Sequence, residues 1–339
     1  MTTFGPARAR RTAAFAVLAA TGLALSACSS ASGGAAAVQR SGGSSSSYSA
    51  GYPVTVSSCG RDFTYAKEPS RVVLGYHGTL ATLDALGVQD RVYGYLRGPD
   101  DTARPAGLPA DLVEVSPDHV PAREAVIAAR PDLFLSDDER QLVGQGTLSY
   151  DDLTGAGGNA YVLGAYCAQD PANRSIDTVY DDVTSLGRIF DVPAKAAAVD
   201  DRLRQQVAAA KASLHGSTAT VAFLKVLGGD VYAIGGYPVA PVLGALGLKN
   251  QFADLPTPFA KLSPEEALTM KPDVVFVNYV GTDGGKAAIA ELAKALPDLP
   301  ALKAGHVYGA DEAGPQAGGV GVVDGLRAVA ADVAKATAQ

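Results

Sequence analysis

REAVIAARPDLFLS (Arg123–Ser136) and PEEALTMKPDVVFVN (Pro264–Asn278) decide the fold, because they read as one unit written twice. Their Pro-Asp pairs, Pro131-Asp132 and Pro272-Asp273, stand 141 residues apart; at that offset Glu124 falls on Glu265, Ile127 on Leu268 and Arg130 on Lys271. Each copy predicts a short helix, a stop at proline and an apolar strand. Outward from the first copy, RVVLGYHG (Arg71–Gly78) and RVYGYL (Arg91–Leu96) predict strands. Between them, Leu80, Leu83 and Leu86 share a helical face that Gly87 ends. NAYVLGAYC (Asn159–Cys167) predicts a further strand. Around the second copy, TVAFLKV (Thr220–Val226), DVYAIGG (Asp230–Gly236) and HVYGA (His306–Ala310) predict strands. Helices are expected from Pro241 to Gly247, over Lys286–Leu296 and over Val322–Thr337. Alternating strands and helices predict an α/β class with mainly parallel sheets, and the repeat makes it two related lobes.

The connection between the lobes is helical. Ser175–Val192 predicts a helix capped by Ser175 or Asp177, and Pro193 suits the first turn of a second one. Val199, Leu203, Val207, Ala210 and Leu214 form one stripe along it before Gly216. About 22 residues give a rod of roughly 33 Å. A single stiff crossing predicts lobes that tilt slightly rather than clap shut.

Composition narrows the function. A length of 339 residues suggests two domains, and a net charge of −7 argues against a nucleic-acid surface. The four histidines, at positions 77, 119, 215 and 306, lack zinc-site spacing. No phosphate-binding glycine loop, nucleophile elbow or metalloprotease motif is present, so neither an enzyme nor a resident cofactor or metal is expected.

The amino-terminal segment reads as an export signal. Arg8, Arg10 and Arg11 precede an apolar stretch from Thr12 to Leu25, too short to span a bilayer, which runs into Leu25-Ser26-Ala27-Cys28. This resembles the bacterial lipobox, whose cysteine is acylated after cleavage. Residues 29–51 are Gly/Ser-rich and suit a flexible tether behind an anchor. The remaining cysteines, Cys59 and Cys167, are expected to pair in an exported chain, tying the first lobe's first strand to its last; two buried thiols are the alternative.

At the level of whole segments the chain resembles the ABC-transporter substrate-binding lipoproteins of the iron-siderophore and cobalamin type. The matching stretches are PSRVVLGYHGTLATLDALGVQDRVYGY, REAVIAARPDLFLS, VYDDVTSLGRIFDVPAKAAAV, VYAIGGYPVAPVLGALGLKNQFADL, LSPEEALTMKPDVVFVN and PALKAGHVY, in that order, from about Tyr52 onward. The resemblance implies the periplasmic-binding-protein arrangement of class III, with one backbone helix between the lobes. The implied boundaries are a signal peptide over 1–27, the tether over 28–51, lobes over 52–174 and 216–339, and connecting helices over 175–215. It further implies a monomer on the extracytoplasmic face of the cell membrane, anchored through Cys28, that hands a ferric siderophore to an ABC permease dimer with its ATPase. Cobalamin, haem or a deazaflavin precursor is the alternative cargo; a secreted enzyme is the alternative of another class.

Ligands of α/β sheets sit beyond the carboxyl ends of the strands. Those ends put forward Tyr76, His77, Arg97, Asp137, Tyr166, Lys225, Tyr237, Tyr279 and Glu312 as ligand-binding candidates. Tyrosines suit a bulky, partly apolar ligand, and Arg97 and Lys225 suit an anionic chelate. The run Asp137-Asp138-Glu139-Arg140 also reads as a solvated helix start. The resemblance implies that Glu124 and Glu265, with Glu266 as the neighbour that could replace the latter, project from the lobes to meet permease arginines.

Overall fold

The computed structural model describes residues 51–339, apart from residues 99–100, 102, 106, 145, 165–166, 168–174, 237–238, 256, 258, 282, 313–317 and 339. The export signal, Cys28 and the tether up to residue 50 lie outside the described residues, as do Tyr166 and Tyr237.

The first described element is a hairpin of β1 (Val54–Ser58) and β2 (Arg61–Tyr65). Its turn residues Cys59 and Gly60 both take left-handed φ values, 48° and 71°, which match the twist of antiparallel strands. The first lobe follows: β3 (Val72–Leu74), α1 (Leu80–Leu86), β4 (Val92–Leu96), β5 (Val113–Ser116), α2 (Arg123–Ala129), β6 (Leu133–Ser136), α3 (Arg140–Val143), α4 (Tyr150–Gly155) and β7 (Asn159–Val162). Its sheet runs β5-β4-β3-β6-β7 and is parallel throughout. Two helices connect the lobes, α5 (Asp177–Ile189) and α6 (Pro193–Ser213). The second lobe contains β8 (Thr220–Leu227), β9 (Asp230–Ile234), α7 (Val239–Leu246), β10 (Lys249–Asn250), β11 (Phe259–Lys261), α8 (Pro264–Thr269), β12 (Val274–Tyr279), α9 (Lys286–Ala295), α10 (Pro300–Lys303), β13 (Val307–Asp311) and α11 (Gly321–Thr337). Its sheet runs β11-β9-β8-β12-β13, with β10 on β8; β9 and β11 are the antiparallel members.

The repeated unit appears as α2–β6 and α8–β12, and its Pro-Asp pair has the same task in both lobes. Asp132 Oδ1 accepts the Arg71 N–H (2.8 Å), and the Asp132 N–H donates to the Arg71 carbonyl (3.0 Å). Likewise Asp273 Oδ2 accepts the Thr220 N–H (2.7 Å), and the Asp273 N–H donates to the Thr220 carbonyl (2.8 Å). Each aspartate closes the entry of the neighbouring strand, β3 or β8, where a backbone donor would otherwise lack a partner.

Side-chain alternation along β8 places the core. Val221 and Phe223 join a hydrophobic cluster shared with α6, α7, α11 and the first lobe. Ala222, Leu224 and Val226 belong to a second cluster with Leu292 of α9. Pro193 opens α6 as expected, and 21 residues make a rod of about 31 Å. It packs against α1 and α5 and also against α7 and α11. A further tie joins the lobes: the Val320 N–H, just ahead of α11, donates to the buried Thr82 hydroxyl of α1 (3.2 Å).

Cys59 and Cys167 form a disulfide, with an Sγ–Sγ distance of 2.08 Å. It joins the hairpin turn to the segment after β7, rather than one strand to another as expected. The hairpin also covers the open edge of β7. Ser58 Oγ donates to the Val162 carbonyl (2.8 Å) and accepts its N–H (2.9 Å), while the Tyr65 hydroxyl donates to the Ala160 carbonyl (3.0 Å). These side chains stand in for a missing neighbour strand on an edge that would otherwise invite pairing.

Several elements differ from the sequence expectation. The hairpin, β5, β10 and β11 were not expected; β5, β10 and β11 are two to four residues long, too short to show a period. β7 stops at Val162 rather than Cys167, and α6 at Ser213 rather than Gly216.

Candidate ligand-binding cleft

β3 delivers Tyr76 and His77 through Gly75. A Cβ on Gly75 would run into the Gln141 side-chain oxygen and stand 3.1 Å from the Phe134 ring, so glycine alone fits. Gln141 itself is buried. Its amide donates to the Gly75 carbonyl (2.8 Å) and the His119 carbonyl (2.7 Å), and its oxygen accepts the Ser136 hydroxyl (2.5 Å). One side chain thereby holds together the ends of β3 and β6 and the loop before α2.

Tyr76 stacks at a tilt on His77, with ring centroids 4.4 Å apart. Burial holds the Tyr76 hydroxyl well above its ordinary range, with further pressure from Asp137 and Asp101 and, across the molecule, from Asp311 and Glu312. The last pair shows that Tyr76 lies within electrostatic reach of the end of β13 in the second lobe. His77 Nε2 lies 2.9 Å from Asp101 Oδ2, an ion-pair distance without hydrogen-bond alignment. Burial lowers the His77 imidazole and outweighs the opposing pull of Asp101.

The second wall is built on Glu312, next to the end of β13. Lys225 Nζ donates to its Oε2 (2.6 Å), Asn278 Nδ2 donates to its Oε1 (2.9 Å), and its own N–H donates to the Tyr279 carbonyl (2.9 Å). Burial raises the Tyr279 hydroxyl, and Asp311 and Asp283 add to the shift.

Of the expected ligand-binding residues, Tyr76, His77 and Asp137 lie on the first wall, and Lys225, Tyr279 and Glu312 on the second. Arg97 is turned onto β5, where its Nε donates to Glu114 Oε2 (2.9 Å), an oxygen that the Tyr95 hydroxyl also reaches (3.2 Å). Both cations named for an anionic chelate are therefore paired already.

The run Asp137-Asp138-Glu139 corrects the solvated-helix expectation: all three acids are buried, at 9%, 7% and 1% exposure. Asp138 is bound by Arg140 and Glu139 by the Tyr150 hydroxyl (3.1 Å). Asp137 Oδ1 has no hydrogen-bond partner, and burial, helped by the Asp138 charge, pushes its carboxyl up to about 7. Sequence reasoning also passed over Asp101, Glu114, Asn278 and Gln141. A single polar residue in a loop (Asp101), a short helix (Gln141) or a strand (Glu114 in β5, Asn278 in β12) carries no period that could have marked it.

Glu124 and Glu265 occupy the first turns of α2 and α8, both exposed. Glu266 is committed elsewhere: its carboxylate accepts the Ser263 N–H (2.8 Å) in a capping box. A separate hollow of about 370 Å³, lined by Ser217, Thr218, Asp273, His306 and Thr337 among others, lies at the amino ends of the second lobe's strands, away from the cleft. No helix among the described residues is long and apolar enough to cross a membrane.

Comparison with known proteins agrees with this architecture. The family model described as periplasmic binding protein matches residues 72–313. The ABC-type Fe3+-hydroxamate transport system of Saccharomonospora viridis DSM 43017 is similar at 27% identity and a TM-score of 0.66, covering 83% of this chain and 99% of its own. The petrobactin-binding protein of Bacillus subtilis has 19% identity and a TM-score of 0.64, with coverages of 84% and 99%. The periplasmic vitamin B12-binding protein of Vibrio cholerae has 17% identity and a TM-score of 0.60, with coverages of 80% and 99%. These last two show likeness of fold alone. No match was found among curated proteins. With two related α/β lobes, a helical connection and a family match over most of its length, the chain belongs to the periplasmic binding protein family, whose members bind substrates rather than transform them.

Proposed function

We propose that this protein is the lipid-anchored receptor of an ABC importer and that its cargo is a ferric siderophore. The observation that carries the reading is that Tyr76, after β3 of one lobe, lies within electrostatic reach of Asp311 and Glu312, at the end of β13 in the other. Such a cleft encloses a compact ligand between lobes whose spacing the continuous core sets. Similarity to an Fe3+-hydroxamate system at 27% identity favours iron chelates over cobalamin, haem or a deazaflavin precursor. Cys28 would hold the protein at the outer face of the membrane, with the segment up to residue 51 as its leash.

Two experiments test this. A dye-based thermal-shift screen against ferric siderophores, cobalamin and haem should single out a ferric siderophore, stabilising the protein by roughly 2.7 kcal/mol at 100 times the dissociation constant. The dye is needed because the chain has no Trp. A response to haem or cobalamin alone would replace the cargo. Changing Cys28 to Ala should move the protein from the membrane fraction into the medium; retention in the membrane would remove the anchor.

A further inference from the structure

One contact within the continuous core joins the lobes at the carboxyl ends of their strands. α11 runs back along the second sheet: Lys335, near its end, stands over the Tyr308 ring, 5.7 Å from the centroid. Tyr308 is near the start of β13, so the start of α11 lies by the end of that strand, on the side of Glu312. In the first lobe, Thr82 sits in the first turn of α1, close behind Tyr76 and His77. Leu163 follows β7, and its N–H donates to the Ser136 carbonyl at the end of β6 (2.9 Å). Thr82 and Leu163 are buried, and together they receive Gly319 and Val320.

A residue without a side chain lets the lobes come this near. Gly319 has a left-handed φ of 59°. A Cβ on it would run into the Thr82 hydroxyl oxygen and stand 3.4 Å from the Thr82 Cβ and 3.5 Å from Leu163 Cδ1. The same hydroxyl accepts the Val320 N–H (3.2 Å). Swinging it away would leave that buried N–H without an acceptor. Close-packed interiors do not absorb an added methyl without a shift of backbone. Here the two backbones belong to different lobes.

We propose that Gly319 and Thr82 form the spacer of the cleft: the bare glycine against the buried threonine sets how closely the two lobes approach. They are positioning residues, which hold Tyr76 and Glu312 at the separation the ligand needs without touching it. Only the effect on siderophore affinity rests on the ferric-siderophore reading; the spacing holds for any cargo taken between the lobes. A methyl group at position 319 should wedge the lobes apart. A wedge that leaves roughly one-tenth of the molecules at the native spacing lowers the apparent affinity about tenfold.

The test compares Gly319→Ala, Thr82→Ala and the double variant with the parent protein, all in full-length chains carrying Cys28→Ala. Nitroxide labels go on cysteines introduced at two exposed positions, Ala128 of α2 and Glu291 of α9. The Cys59–Cys167 bond takes no label. Without ligand, the distance measured by double electron–electron resonance should lengthen in Gly319→Ala. It should return to the parent value in the double variant, where the shortened threonine makes room for the methyl, and stay at that value in Thr82→Ala. Calorimetry with ferrioxamine B, a ferric trihydroxamate, should show about tenfold weaker binding by Gly319→Ala and recovery in the double variant. Melting temperature separates spacing from stability. The left-handed alanine and the lost hydroxyl both remain unfavourable in the double variant, so it should melt below the parent although its spacing recovers. An unchanged distance in Gly319→Ala, or a longer one that the double variant does not restore, overturns the proposal. A longer distance in Thr82→Ala alone assigns the spacing to the hydrogen bond and overturns the role of Gly319. Where Gly319→Ala folds poorly, Thr82→Ile supplies a wedge from the other side and must lengthen the distance too. If no ferric chelate binds the parent protein, the siderophore reading fails while the distances still decide the spacer.

Discussion

Cells that carry the cognate permease and the double variant Glu124→Ala, Glu265→Ala should take up the ligand at least about tenfold more slowly, while the purified variant binds that ligand as before. The two glutamates stand at the starts of equivalent helices, α2 and α8, of a duplicated unit. A carboxylate there gains from the helix dipole, about 0.3–1 kcal/mol, which explains a glutamate in each helix but not its exposure in both lobes. Two exposed charges, one per lobe, suit a partner made of two like subunits. Their spacing is held by the core that runs from the first lobe through α6 to the second. Glu266 cannot substitute without giving up its cap on Ser263. Contacts of this kind at a rim steer docking and set register more than they add affinity, so uptake and ligand binding should separate. Normal uptake by the double variant at matched expression would end the docking role.

The second large effect is expected from the disulfide. Replacing Cys59 and Cys167 together with Ser should lower unfolding stability by about 2–5 kcal/mol, because the bond closes a long loop in the unfolded chain. Its two cysteines lie 108 positions apart. The loss should also loosen the hairpin from β7, although the Ser58, Tyr65 and Asn159 hydrogen bonds remain to hold it. Denaturant titrations with and without reductant provide the measurement, and the reduced native protein should match the double variant. Superimposable titrations would show that the hairpin's side-chain contacts already do the work attributed to the bond.

The duplicated unit, the α/β class and the helical connection were legible in the sequence, because their signals are local. Apolar period, a proline at a helix boundary and a glycine after a helix act within a few residues. Gly87 ends α1 with φ 75°, and Pro193 opens α6, as those rules require. The repeated Pro-Asp could be read as a turn, but its bond to the neighbouring strand could not, since that partner is 61 residues away for Asp132 and 53 for Asp273.

What only the tertiary structure decided is the charge state of the cleft. Arg97 and Lys225 read as receptors for an anion so long as their partners were unknown. Glu114 reaches Arg97 because β5 lies beside β4, and Glu312 reaches Lys225, 87 residues earlier, because β12 lies between β8 and β13. The acids after β6 read as solvated because a polar run normally faces water, yet the packing around the end of β6 buries them and leaves Asp137 without a donor. Period and punctuation come from bonds between near neighbours along the chain. Pairing and burial depend on strand order and on which segments cover one another, and those depend on contacts between distant residues.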